Sequence, residues 1–216
     1  LLGNEPSKTI MMTATDAVFG LASFATPVAV TYAMLAGGKT LTETFTWHPI
    51  LMSLAFPCLM VLGRWAYVSE SVGEKPQQRS VHRSFMMLSA TAGVAGYVMI
   101  FLSHVKTPSF FGYNFATHTW AVPSRIVHDF LGYSVLLLML AQAVMGLMKL
   151  AKLQTGERSF TFHGQLGKAI IVLGASNIVV ACVFWSWTPT TKIVIGGLAL
   201  AAALCGVLWP IPVKPE

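Results

Sequence analysis

Charge is what this sequence has least of. Only 10% of its 216 residues are Asp, Glu, Lys or Arg, against ~25% in a typical soluble domain. A chain so poor in charge is not an ordinary globular enzyme, a disordered tail or a binder of nucleic acid through a basic face. Cysteine is scarce too: Cys58, Cys182 and Cys205 all fall inside apolar stretches, so neither a disulfide framework nor a CxxC metal knuckle is available. No internal repeat of a longer unit is evident. The chain opens at Leu1 rather than Met, so the lack of a targeting leader carries no weight.

Apolar residues make up 55% of the chain, in six segments cut by loops rich in Gly, Pro and charge. The segments run roughly Ala17 to Ala36, Trp47 to Tyr67, Gln77 to His104, Ser124 to Leu150, Phe160 to Trp187 and Lys192 to Trp209, where Pro210-Ile211-Pro212 stops the last. One bilayer crossing needs about 20 such residues. Six crossings therefore leave room for short loops and for no second folded domain. The expected fold is all-α: a six-helix, multi-pass integral membrane protein, one domain over residues 1–216, in which segments two to five form a four-helix bundle. Lys and Arg set its orientation. The ends and loops joining segments two to three and four to five hold Arg64, Lys75, Arg79, Arg83, Lys149, Lys152, Arg158 and Lys168, whereas the opposite loops hold only Lys39, Lys106, Arg125 and Lys192. The two basic loops, and with them both termini, are expected on the cytoplasmic side.

Six histidines stand out: His48, His82, His104, His118, His128 and His163. Four of them (His48, His82, His128, His163) open segments two, three, four and five. An ionisable side chain at membrane depth is costly and marks a functional site by default, although any one of these alone would read as an interfacial anchor. Successive helices alternate direction, so His48 and His128 come to the outer side and His82 and His163 to the inner side, each pair on a bundle diagonal. Two imidazoles facing across an apolar core suit axial ligation of a haem iron, since a neutral ring adds no buried charge. Gly93 and Gly96 would let a flat macrocycle approach the backbone, or simply allow close helix packing. A structural zinc site wants four ligands in one place, and these histidines divide two and two. The inner pair has no rival. On the outer side His104 and His118 compete with His48 and His128; lying in or beside the long loop, both read as solvated-loop histidines and as candidate outer substrate residues.

The stretch FTWHPILMSLAFPCLM, from Phe45 to Met60, resembles the second-helix signature of the cytochrome b561 family. Single histidines on segments two to five, spaced by 34, 46 and 35 residues, are similar to that family's haem-ligand order, with a longer middle gap. The likeness covers the whole chain, and within the family it is greatest to the branch consisting of this domain only. It implies two haems b that carry electrons across a membrane from cytoplasmic ascorbate to monodehydroascorbate or a ferric chelate. Lys75 and Arg79, seven and three residues before His82, match basic positions that relatives use near an inner ascorbate site, where an ordinary positive-inside loop would also place them. Two departures stand out: IVHDFLGY surrounds His128 in place of the family's histidine followed by Ser and Trp, and only Arg64, in LVLGRWAY, resembles the ascorbate-linked signature.

The first reading is therefore an ascorbate-dependent transmembrane (ferri)reductase. Basic or hydrogen-bonding groups at the water boundary would meet haem propionates: Arg79, Arg83, Arg158 and Lys168 inside, and Arg125, Lys106, Asn114 and Tyr113 outside. The second is a haem-bearing or structural subunit of a larger membrane electron-transfer complex without its own substrate turnover. A third is a haem-free packing subunit. The partners implied are a small reductant, an acceptor, the lipid bilayer and a second copy or complex, and no nucleic acid. The resemblance points to an endomembrane or plasma membrane, with an organellar membrane as the other candidate.

Overall fold

The structure, a computed structural model, describes residues 14–107 and 109–208. Pro108, Trp209 and the Pro210-Ile211-Pro212 stop lie outside the described residues. The helices are α1 (Ala14–Ala36), α2 (Thr44–Ser53), α3 (Val61–Val68), α4 (Lys75–His104), α5 (Pro123–Gln154), α6 (His163–Phe184) and α7 (Pro189–Leu208). A π-helical segment, Leu54–Met60, joins α2 to α3 without a break. With that pair counted as one span, 44–68, six helices among the described residues are long and apolar enough to cross a membrane.

Local chemistry sets the ends. Proline sits in the first turn of α4, α5 and α7, where its fixed φ suits a helix and its missing N–H costs nothing. Segment five begins at His163 rather than Phe160, because Phe160 has a φ of +49° that a right-handed helix cannot continue through. It stops at Phe184, since Trp185 is extended. The fourth segment reaches Gln154, beyond Leu150, and Gly156 at φ +80° follows it. Inside span two, Pro57 has no N–H to donate and its ring crowds the carbonyl four residues back. The wider π turn accommodates both.

Span two packs on α4, α4 on α5, α5 on α6, and α6 returns to the π-helical segment, closing a ring of four spans. The helices α1 and α7 lean on each other and flank the ring beside span two and α6. The core holds Phe56, Val61, Met139, Ile170, Ile171 and Ala175. Glycine sets the closest approach: a Cβ on Gly174 would lie 2.6 Å from the Phe56 ring. Apolar side chains also cover the outside, with Leu21, Tyr32, Leu137 and Ile193 all strongly exposed, the pattern of a surface solvated by lipid.

Gly93 is met by the tip of Met139, 2.8 Å from where a Cβ would stand, and Gly96 by Leu51 and Met52 at 3.2 and 3.4 Å. Both glycines stand at close contacts between helices in this structure. The connection between α4 and α5 also carries order that its composition did not signal: β1 (Ser109–Phe110), β2 (Tyr113–Asn114) and β3 (Thr119–Trp120) form an antiparallel meander. Phe111, beside β1, stacks on Phe130 of α5 with ring centres 4.9 Å apart.

Candidate functional site

His48, His82, His128 and His163 lie in the opening turns of α2, α4, α5 and α6. The alternation of helix direction brings His48 and His128 together at the meander end of the ring, with imidazole centres 6.2 Å apart and planes at 88°. At the other end His163 lies within electrostatic range of His82.

Hydrogen bonds decide which ring nitrogen faces inward. The Nδ1–H of His48 donates to the Gly96 carbonyl at 3.0 Å, that of His82 to Gly63 at 2.8 Å, and that of His128 to Asn177 at 3.2 Å. A ring held through Nδ1 keeps the tautomer whose Nε2 carries the free lone pair. In His48, His82 and His128 that nitrogen has no hydrogen bond among the described residues. His163 is held differently: its backbone carbonyl accepts from Gln142 Nε2, while its Nδ1 is buried and unpartnered.

His48 and His128 fit a metal held between two imidazoles. Two metal–nitrogen bonds of about 2 Å each span ~4 Å, and the half-widths of two rings supply the rest of the 6.2 Å between His48 and His128. Neutral nitrogen donors in an apolar setting match the axial positions of a haem iron. Among the described residues no three His, Cys, Asp or Glu side chains gather as a closed metal cage.

The rival histidines are otherwise engaged. His104 ends α4, its Nδ1–H facing the Ile100 carbonyl at 3.1 Å and its Nε2 accepting from Arg125 at 3.5 Å. His118 is exposed in the meander at φ +54°, 3.4 Å from the Tyr113 hydroxyl. Lys75 and Arg79 are exposed, one turn apart, on the stretch of α4 that leads to His82. Lys75 Nζ sits 5.6 Å above the Tyr67 ring, which in turn stands edge-on to His82 with centres 5.3 Å apart. Arg83 is exposed and, following His82 directly, points about 100° away from it around the helix. Arg158 is exposed in the loop between α5 and α6. Arg64 turns toward α7, bonding the Val207 carbonyl at 3.5 Å, and so does not join the histidines.

Gly63, Gly96, Asn177, Gln142 and Tyr67 bear on the four histidines, and none was singled out in the sequence for holding them. Gly63, Gly96 and Asn177 act through a backbone carbonyl, which no side chain announces, and the buried Gln142 looks like an ordinary polar residue of a helix.

One protein-family pattern matches, described as eukaryotic cytochrome b561, over residues 47–187. That range takes in all four histidines and nearly the whole of the four-span ring. No curated protein and no solved structure matches the chain. With six membrane-spanning helices and histidines near both ends of the ring, the chain belongs to the cytochrome b561 family of haem-binding transmembrane electron-transfer proteins.

Proposed function

We propose that the chain binds two haems b, one between His48 and His128 and one between His82 and His163, and passes electrons from ascorbate on the side of the basic loops to monodehydroascorbate or a ferric chelate on the meander side. The observation that carries this reading is four histidines divided between opposite ends of one ring, His48 facing His128 at one end and His163 within electrostatic range of His82 at the other, with three of the four rings bonded through Nδ1. Each haem, when bound, supplies a one-electron ferric/ferrous couple.

The chain's own residues do the rest. The Gly96, Gly63 and Asn177 carbonyls hold the rings against rotation, so little reorganises when charge arrives. From His128 to Gln142, which bonds His163, is 14 residues, about 21 Å along a helix at 1.5 Å per residue. That separation supports one relay point near each membrane face. Lys75 and Arg79 attract an anionic reductant, and Tyr67 lies between Lys75 and His82. Ascorbate monoanion would give up one electron inward and one proton to water there. At the far end Arg125, 3.5 Å from His104, would draw an anionic acceptor toward His48 and His128, with Arg79 and Arg158 as the propionate partners of the inner haem.

Vesicles containing the protein and a trapped ferric chelate, with ascorbate added outside, test this. Ferrous chelate should form inside, and His82→Ala should abolish its formation. Haems that respond to dithionite while ascorbate leaves the trapped chelate ferric would overturn the choice of donor.

A further inference from the structure

We propose that Gln142 is the Nδ1 partner of His163, a positioning residue whose amide oxygen sets the orientation and donor strength of that ring. The inference rests on the ligand set proposed above.

The four histidines sit in two reciprocal helix pairs. Span two holds His48 and bonds Gly96 of α4; α4 holds His82 and bonds Gly63 of span two. In the second pair, α5 holds His128, whose Nδ1–H reaches the Asn177 carbonyl of α6. The spacing is regular. Gly96 follows His82 by 14 residues and Asn177 follows His163 by 14. Gly63 follows His48 by 15, and the π-helical segment between them absorbs the extra residue. Each helix thus carries a histidine and, four turns on, the group that anchors its neighbour's histidine. The position still to be filled on α5 is 14 residues after His128, and it is Gln142.

The side chain there is placed for the task. Gln142 is buried and its Nε2 donates to the His163 carbonyl. Reversing the amide would set two acceptors face to face, so this contact fixes which end is oxygen. The Oε1 is then buried with no partner, and so is His163 Nδ1. A bare buried acceptor and a bare buried donor, on two residues already bonded, are each costly to leave unmade. A turn of the imidazole about Cβ–Cγ pairs them, directly or through one water. Room for the amides is built the same way on both helices: a Cβ on Gly167 would lie 3.2 Å from Gln142 Nε2, and one on Gly132 would lie 3.1 Å from Asn177 Nδ2. Three rings are anchored by backbone. The fourth is anchored by a side chain, and its donor strength depends on which residue stands at 142.

An acceptor on Nδ1–H raises the basicity of Nε2 and favours the ferric state. Potentiometric titration and low-spin EPR of the haem-loaded protein read this directly. Gln142→Met, close in shape but without an acceptor, should keep both haems, shift the midpoint potential of the His163 haem upward and leave the other haem in place. Gln142→Glu, which restores an acceptor, should bring that potential back to wild type or below it. Potentials and EPR signals unmoved in both variants, an upward shift in Gln142→Glu as well, or equal shifts of both haems would overturn the proposal. Should Gln142→Met fail to fold, Gln142→Glu together with Gln142→Leu carries the same sign test. His163→Ala separates this from the reading beneath it. If that variant loses no haem, the ligand set is wrong; if it loses one while the Gln142 variants behave as wild type, the role of Gln142 alone fails.

Discussion

A hydrogen bond at one imidazole nitrogen fixes the tautomer and the orientation of the ring. His48, His82 and His128 have that bond to the carbonyls of Gly96, Gly63 and Asn177. Glycine elsewhere brings helices close enough for such bonds to form. Gly174 is the tightest case, because the atoms it meets are Phe56 Cβ and Cγ, which lie near the backbone and cannot swing aside. Gly174→Ala should therefore cost about 1–3 kcal/mol by overpacking, seen as a lower thermal midpoint in detergent; an unchanged midpoint would contradict the contact. The histidines stand out as candidates in the sequence, because an imidazole at membrane depth is expensive and four of them open four consecutive segments. Their anchors were not. A backbone carbonyl has no signature in a sequence, and Gly93 and Gly96, read there as room for a macrocycle or for packing, are filled by Met139, Leu51 and Met52.

Among the elements, the six spans follow from hydropathy, and their ends follow from proline where proline is present. What hydropathy misses is the winding. The π-helical segment Leu54–Met60 adds one residue between His48 and Gly63, where the matching intervals in α4 and α6 are 14. A one-residue deletion at Leu59 should therefore let the segment close to an ordinary α-helix and leave haem content unchanged. One residue inserted there has no turn left to absorb it; it rotates Gly63 by about 100° away from His82 and should cost the His82 haem. Pyridine haemochrome assays on both variants check this, and equal loss in the two would show that the turn is not a one-residue adjustment. The meander over 109–120 escaped notice because its strands are two residues each, too short to show an alternating pattern.

In the whole molecule, the alternating direction of spans two to five was open to inference, because successive membrane crossings must run antiparallel. The placement of α1 and α7 beside span two and α6 was not, since both are apolar on every side. The electrostatic asymmetry between the ends carries a functional prediction. Reversing charge at both Lys75 and Arg79 should slow reduction by ascorbate monoanion in stopped flow, an effect screened over ~8 Å at physiological salt. A neutral reductant should be affected far less, and haem content not at all. Unchanged ascorbate kinetics, with orientation verified, would leave these charges with a purely topological role.

Haem content and reduced-minus-oxidised spectra of the four single variants His48→Ala, His82→Ala, His128→Ala and His163→Ala test the arrangement most directly. Wild type should hold two low-spin haems b. His48→Ala and His128→Ala should lose the same one, and His82→Ala and His163→Ala the other. A single haem in the well-folded wild type, or losses that pair His48 with His82, would contradict it.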